Sequence, residues 1–388
     1  MWLHTLFQPK RHQTTTIQTR LIPLKNTVHK KIKRITPRRK LAGIGLLVAL
    51  ISGCMYIPHQ ANVDLTQKQI DQVKRQAKPA VDAILDKFST HTLVAMGDYH
   101  WNAEVMQFIN NLVAQPRFAH EIKHIIVEFG NARFQPLLND YLQGKAVSDT
   151  ELKQVMRSSI FFTAWQPNEY GQFFSIIRQH NLHLSTAEQI KVTLAEPAFT
   201  WQASTTQTEW QKAANNKVSG FYAQAEKAIQ KKQKTLMVFG AFHLLKATSI
   251  SSSPIPIKNQ PLATQIEAQY PGKLYVVWPA TQPEFTQAIA DITNPALIEL
   301  NNSPIGDLAF VDLLPKSKVR LSRMERLDAK ASELSDAYLF VGQTERSTRF
   351  PPDVMADKAW IKEMQRRVAI VGGRVESAFE SILEQSAQ

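Results

Sequence analysis

The chain has 388 residues, with 46 Lys and Arg against 33 Asp and Glu, and a formal net charge of +13. Most of this excess is local, because residues 1–53 hold eleven basic residues and no acidic one, which leaves 35 basic and 33 acidic residues in the remainder. A nearly neutral body lacks the positive surface that phosphate-backbone binding requires, so we exclude nucleic acid as a partner.

The first predicted element is an export signal. A basic run ends at Lys40, residues 41–52 are almost entirely apolar, and Gly53 precedes Cys54. This is the order of a secretory signal segment. The last four residues, Ile51 to Cys54, resemble the lipobox of bacterial lipoproteins, which implies lipidation of Cys54 and cleavage before it. Cys54 is the single Cys of the chain, so no disulfide can form within it.

These features predict a lipoprotein signal over residues 1–53 and a cell-envelope location. The absence of Asp after Cys54 favours the outer membrane, with the body facing the periplasm and anchored to the membrane through the lipid. The alternative is an uncleaved transmembrane anchor. It is disfavoured because the apolar run reaches at most from residue 41 to 57, whereas about 20 residues are usual for a span.

After the signal, residues 54–90 predict a tether and one amphipathic helix over 66–88, and residues 91–388 predict a single large domain. Short apolar runs within this domain predict strands over residues 92–97, 124–129, 191–195, 236–239, 274–278 and 337–341. Helical periodicity predicts helices over residues 103–113, 134–142, 151–156, 168–179 and 208–231, a loop over 249–261, and a short C-terminal helix after residue 366. Alternation of this kind is typical of an α/β fold with a mostly parallel central sheet flanked by helices.

Polar side chains follow or end four of these strands. The first run ends in Asp98, Tyr99 and His100, the second contains Glu128, the third ends in Glu196, and the fourth leads to His243. Ligands of parallel α/β sheets bind outside the carboxyl ends of the strands, so we expect these side chains to gather in one crevice. Glu128 also needs a cationic or hydrogen-bonding partner, because an unpaired buried carboxylate would cost several kcal/mol.

The same segments resemble motifs of the erythromycin-esterase-like and ChaN-like superfamily, in the same order over residues 92–367, and are closest to an uncharacterised bacterial branch of it. The matching motifs are Asp98-Tyr99-His100 with Glu104, the strand from Glu128 to Asn131 and Arg133, the segment from Glu196 to Trp201, and Gly240 to His243. Two departures stand out. Asp98 replaces the usual Glu, and Trp101-Asn102 replaces a Gly-Thr pair that commonly follows the first His.

The resemblance implies hydrolysis of an ester or lactone in a small-molecule substrate, without a serine nucleophile and without a cofactor. On this reading His100 is the general base, Asp98 and Glu128 orient it, and His243 and Arg157 are electrophilic partners. Imidazole titrates near neutrality, which suits a base. Further pocket candidates are Glu104, Asn131, Arg133 and Glu196. Arg157 could equally be an exposed helix cation.

Three alternatives stay open at this point. The His and carboxylate side chains could hold a divalent metal ion, although no paired ligand spacing supports one. The ChaN-like resemblance implies haem or iron binding, with Tyr99 or His100 as axial ligand. The Asp98 replacement also allows a degenerate site on a non-catalytic scaffold.

Overall fold

Eight strands form a single sheet in the computed structural model, which describes residues 63–246, 257–315 and 329–387. The predicted signal segment and Cys54 lie outside the described residues. The strands are β1 (Lys78–Pro79), β2 (Leu93–Asp98), β3 (His124–Asn131), β4 (Lys191–Glu196), β5 (Thr235–Gly240), β6 (Leu274–Pro279), β7 (Ala296–Glu299) and β8 (Ala337–Phe340).

The strand order across the sheet is β1-β7-β8-β6-β2-β5-β3-β4. The six strands from β8 to β4 run parallel, whereas β7 pairs antiparallel with both β8 and β1. The six parallel strands are the six that the sequence predicts. The prediction of one α/β domain with a mostly parallel sheet is therefore confirmed.

Fourteen α-helices of the described ranges flank this sheet. They are α1 (Gln67–Gln76), α2 (Ala80–Lys87), α3 (Ala103–Val113), α4 (Pro116–Glu121), α5 (Gln135–Leu142), α6 (Asp149–Arg157), α7 (Asn168–Leu182), α8 (Gln207–Gln230), α9 (Leu262–Gln269), α10 (Pro283–Ala288), α11 (Ala331–Leu334), α12 (Pro352–Ala356), α13 (Lys358–Val371) and α14 (Gly373–Ala387). No helix among the described residues is both long and apolar enough to cross a membrane.

The central strands are apolar throughout because both faces of the sheet are covered. On β2, Val94 and Met96 enter the core beneath α3 and α7, while Leu93 and Ala95 enter a second core beneath α8 and α9. Strands β2, β3 and β4 are connected over the first face, and the chain returns to β5 and β6 over the second. This arrangement follows from the right-handed crossovers that parallel strands require.

The helix predicted over residues 66–88 is wrong in one respect, because it is two helices. Ala77 ends α1 in an extended conformation, and Lys78 and Pro79 form β1 at the edge of the sheet. Proline disfavours the helical conformation of the residue before it, which explains the break. Both β1 and α2 precede residue 91, yet they belong to the sheet and to its main core.

Three further elements differ from expectation. Strand β7 is missed, because its four residues follow Asn294-Pro295 and form too short an apolar run. The C-terminal region holds three helices where one is expected, and α13 and α14 build an aromatic cluster with Trp101 and Phe162. Most of the predicted loop over 249–261 lies outside the described residues, and Ile257–Asn259 is a short 3-10 helix.

His124 joins three neighbouring strands at the end of the sheet opposite Asp98. Its Nδ1 lies 3.0 Å from Thr235 Oγ1 and its Nε2 lies 3.0 Å from Thr193 Oγ1. Thr235 donates its own hydroxyl proton to Gln233, so Nδ1–H of His124 donates and Nε2 accepts. Burial lowers the pKa of His124 from 6.5 to about 4, and the positive charges of Lys231 and Lys191 add to the effect.

This lowered pKa predicts a loss of stability in acid. Between pH 6.5 and about 4 the unfolded chain binds a proton that folded His124 does not bind, so stability falls as pH falls. We expect His124 to account for about 2 kcal/mol between pH 7 and pH 5. Urea unfolding at both pH values should give a shallower pH dependence for His124→Asn than for the wild type. An unchanged dependence would contradict the assignment.

Candidate functional site

The carboxyl ends of four neighbouring parallel strands converge on one edge of the sheet. Strand β2 ends at Asp98 and leads into His100, and β3 carries Glu128. Strand β5 ends at Gly240 and continues into a 3-10 helix over Ala241–Leu244, which carries His243. Because β5 lies between β2 and β3, the two histidines and two carboxylates meet around Gly240.

His100 and Asp98 form a hydrogen-bonded pair. The Nδ1–H of His100 donates to Oδ2 of Asp98 over 2.9 Å. The same carboxylate oxygen accepts the hydroxyl proton of Tyr170 over 2.7 Å. Asp98 is buried, while the side chain of His100 keeps 34% of its surface exposed. The shorter Asp at position 98 therefore still reaches the imidazole, and solvent still reaches the ring.

Glu128 lies at the centre of a second, fully buried group. Its Oε1 accepts a hydrogen bond from Nζ of Lys217 over 2.8 Å and lies 3.3 Å from Nε2 of His243. Its Oε2 accepts the backbone N–H of Gly240 over 2.7 Å. The Lys217 ammonium also lies 4.4 Å from the ring centre of Phe161. The expected partner of Glu128 is thus present, and it is a lysine.

Charge and burial set the protonation states of this group. Burial raises the pKa of Glu128, but the positive charge of Lys217 and the interactions with the two histidines outweigh burial and hold this pKa well below its ordinary value. Burial lowers the pKa of His243 to about 4, against an opposing effect of Glu128. At neutral pH Glu128 is therefore a carboxylate, Lys217 is its counter-ion, and His243 is a neutral imidazole.

Glu196, at the end of β4, has the opposite character. It is fully buried, and one oxygen accepts the backbone N–H of Ile160 over 2.6 Å. Burial raises the pKa of Glu196 to about 8, against the lowering effects of the Ile160 bond and of Lys217. Glu196 is thus protonated at neutral pH. Of the two buried glutamates, Glu128 therefore carries a negative charge matched by Lys217, and Glu196 is neutral.

Several buried polar atoms at this edge of the sheet lack a hydrogen-bond partner among the described residues. The ring of Trp165 stands edge-on to His100, with centroids 4.6 Å apart, and covers the Asp98 pair from one side. Buried polar groups are normally paired, so atoms of this kind indicate bound water or ligand. The buried atoms without a partner at this edge are Asp98 Oδ1, Glu104 Oε2, Trp165 Nε1, Glu196 Oε2 and His243 Nδ1.

The other predicted pocket residues have structural or peripheral positions. The Asn131 amide donates to Ser158 O and accepts from the backbone N–H of Arg133, so it braces the loops around the site. The Arg133 guanidinium donates to Thr200 Oγ1 over 2.5 Å at the surface. Glu104 lies in the first turn of α3, just after the His100 loop.

Arg157 is not brought to the site by any of its contacts. Its guanidinium donates to Asp357 over 2.7 Å and lies 4.8 Å from the ring centre of Trp360, and both partners belong to the C-terminal region. The guanidinium is thus bound by Asp357, and the electrophilic role of Arg157 stays a prediction. The cation beside Glu128 is Lys217.

Sequence reasoning missed Lys217 and Tyr170. Lys217 lies on the buried face of α8, seven residues after Trp210 and four residues before Phe221. A cation on the apolar face of an amphipathic helix needs a buried counter-charge, and this signal could have found it. Tyr170 gives no such signal, because a tyrosine on an apolar helix face usually serves packing alone.

The donor set gives limited support to a metal or haem. Within residues 63–246, 257–315 and 329–387, no group of three or more His, Cys, Asp or Glu side chains could hold a metal ion. The Nδ1–H of His100 is bonded to Asp98, which leaves Nε2 as the ring nitrogen that could bind iron, so haem ligation by His100 stays a prediction. Burial raises the pKa of Tyr99, which disfavours the phenolate that would bind iron.

No family model and no curated protein matches the chain. Among solved structures, a succinoglycan biosynthesis protein aligns with a TM-score of 0.51 at 11% identity, over 73% of this chain and 98% of that chain. A protein from Bacillus cereus gives 0.47 at 9% identity, over 75% and 99%. A mutant of the erythromycin esterase EreC in its open conformation gives 0.44 at 11%, over 69% and 94%. The first likeness shows a shared fold, and the lower scores carry no inference.

The close packing around Gly240 gives a testable prediction. A Cβ atom at this position would lie 2.9 Å from His100 Cε1 and 3.1 Å from Glu128 Oε2. We expect Gly240→Ala to lower the free energy of unfolding by about 1–3 kcal/mol and to displace His100.

The matched control is Gly171→Ala within α7, where the nearest atom to a new Cβ is Met156 Cε at 3.9 Å. Alanine is favoured over glycine inside a helix, so this variant should be as stable as the wild type or up to about 1 kcal/mol more stable. Urea unfolding measures both. Equal stability of Gly240→Ala and the wild type would show that the site is less tightly packed.

Proposed function

We propose that the chain is a hydrolase that cleaves an ester or lactone in a small molecule, with water activated by His100. The observation that carries the proposal is the hydrogen bond between Asp98 and His100 at the carboxyl end of β2, beside the ionised Glu128. Motif resemblance to the erythromycin-esterase-like superfamily agrees with this chemistry. The sequence contains no Gly-x-Ser-x-Gly nucleophile motif, which suits water as the nucleophile.

Asp98 prepares His100 to act as a base. Its carboxylate accepts a hydrogen bond from Nδ1–H, so in the neutral imidazole the lone pair is on Nε2. Tyr170 donates a second hydrogen bond to the same oxygen and fixes the carboxylate. A water molecule reaching the exposed edge of the ring would lose its proton to Nε2 as it attacks the carbonyl carbon. Addition of the hydroxyl gives a tetrahedral intermediate. Its collapse breaks the bond between the carbonyl carbon and the ester oxygen, and the His100 imidazolium returns its proton to the leaving oxygen, which restores the neutral ring and releases acid and alcohol.

Glu128 stabilises the imidazolium that forms in this step. A negative charge near His100 lowers the energy of the protonated ring, and Lys217 ensures that Glu128 carries this charge. His243 is neutral, and its Nε2 lies 3.3 Å from Oε1 of Glu128, the oxygen that also accepts from Lys217. The proposed roles are therefore base for His100, orientation for Asp98 and Tyr170, and electrostatic stabilisation for Glu128 and Lys217.

Turnover of a panel of esters and lactones tests this proposal. We expect His100→Ala to lower kcat by about 100-fold or more, the usual contribution of a positioned base, with folding retained. The control is His183→Gln, since His183 is an exposed residue at the end of α7. Turnover that survives His100→Ala would remove His100 from the mechanism. A wild-type chain that turns over no ester or lactone but shifts the haemin Soret band would replace the proposal with haem binding.

We further propose that the chain is exported to the cell envelope and anchored to the outer membrane through lipid on Cys54. The support is the basic run that ends at Lys40, the apolar run over residues 41–52, and Gly53 directly before Cys54. Full-length chain expressed in a bacterium should incorporate labelled fatty acid and fractionate with membranes. Cys54→Ala should lose the label and keep Gly53 attached. A labelled Cys54→Ala chain would contradict the anchor.

A further inference from the structure

The residue after His100 has an unusual backbone conformation. Residues 99–102 form a tight turn, closed by a hydrogen bond from the Asn102 N–H to the carbonyl oxygen of Tyr99 over 2.9 Å. His100 and Trp101 are its two central residues, and Trp101 has a φ of 71°. A turn with positive φ at its third residue strongly prefers Gly or Asn there. A large aromatic residue is a genuine outlier at such a position and requires support from its surroundings.

The C-terminal region gives this support. The Trp101 side chain is 4% exposed and packs against Phe350, with ring centroids 5.3 Å apart. It belongs to the aromatic cluster that α12, α13 and α14 build around Trp360 and Phe379. The Trp101 carbonyl accepts the backbone N–H of Ser347 over 2.8 Å. Both the side chain and the backbone of Trp101 are therefore held by residues from 347 onward.

From this geometry we propose that Trp101 is a positioning residue for His100. Its side chain anchors the turn to the C-terminal helices, and this anchor, rather than the turn conformation alone, holds the imidazole of His100 toward Asp98 and Gly240. The C-terminal region thus fixes the orientation of the base as well as completing the fold. The inference rests on the proposed function for its catalytic consequence, but the orientation of His100 can be measured without turnover.

Variants at position 101 separate the anchor from the turn. Trp101→Gly and Trp101→Asn both accept positive φ, so they keep the turn and remove the anchor, whereas Trp101→Phe keeps an aromatic contact with Phe350. Nitrogen NMR of labelled histidine, assigned with His100→Gln, reports whether Nδ1 of His100 carries the proton bonded to Asp98. We expect the Nδ1-protonated state to be lost in the Gly and Asn variants and kept in the Phe variant.

Turnover supplies the second readout. The Gly and Asn variants should lose about 100-fold in kcat with a smaller change in KM, because a misplaced base slows the chemical step. The control is Phe379→Leu, which loosens the same aromatic cluster without touching the turn. It should lose stability and keep both the His100 signal and kcat.

Two results would overturn the proposal. One is a wild-type His100 signal in Trp101→Gly and Trp101→Asn, and the other is an equal loss in Phe379→Leu. If Trp101→Gly fails to fold, the comparison of Trp101→Asn with Phe379→Leu at matched stability decides. Failure of the proposed function is distinguishable, since it would leave turnover unaffected by His100→Ala while the NMR comparison still reports the role of Trp101.

Discussion

The ion pair between Glu128 and Lys217 is the interaction on which the site depends. Both side chains are almost wholly buried, and removing such charges from water costs several kcal/mol per ion. Their attraction can offset this cost only if geometry holds them together and further bonds complete them. The Gly240 N–H and His243 supply these bonds. The Glu128 carboxylate therefore connects β3 to α8 through Lys217, to the end of β5 through Gly240, and to the following 3-10 helix through His243.

The protonation states of the neighbouring buried groups differ according to whether Lys217 contacts them. Glu128 is ionised because a lysine contacts it, while Glu196, on the next strand, is protonated because burial dominates there. Neighbouring carboxyl groups whose environments separate their pKa values are a recurrent feature of acid–base sites. His243 is neutral and buried, whereas the side chain of His100 keeps 34% of its surface exposed to solvent.

The C-terminal helices pack against the segment that follows His100, although neither their sequence nor their position in the chain indicates this contact. They bind the Arg157 guanidinium through Asp357 and Trp360. They also supply the cluster in which Trp101 is buried, one residue after His100. A tryptophan in a left-handed conformation is tolerable only where such packing outweighs the backbone cost, of order 1–3 kcal/mol. The departure from the Gly-Thr pair of similar sequences therefore has a physical counterpart in this fold.

The sequence by itself determined the six parallel strands, the edge where Asp98, His100, Glu128 and His243 meet, and the need of Glu128 for a partner. Continuous apolar runs with polar ends carry that information locally. Only the tertiary structure decided that the partner is Lys217, that Arg157 pairs with Asp357, and that β1 and β7 complete the sheet. These outcomes depend on which helix face crosses which strand, and local patterns of residues do not encode contacts between segments that lie far apart in the chain.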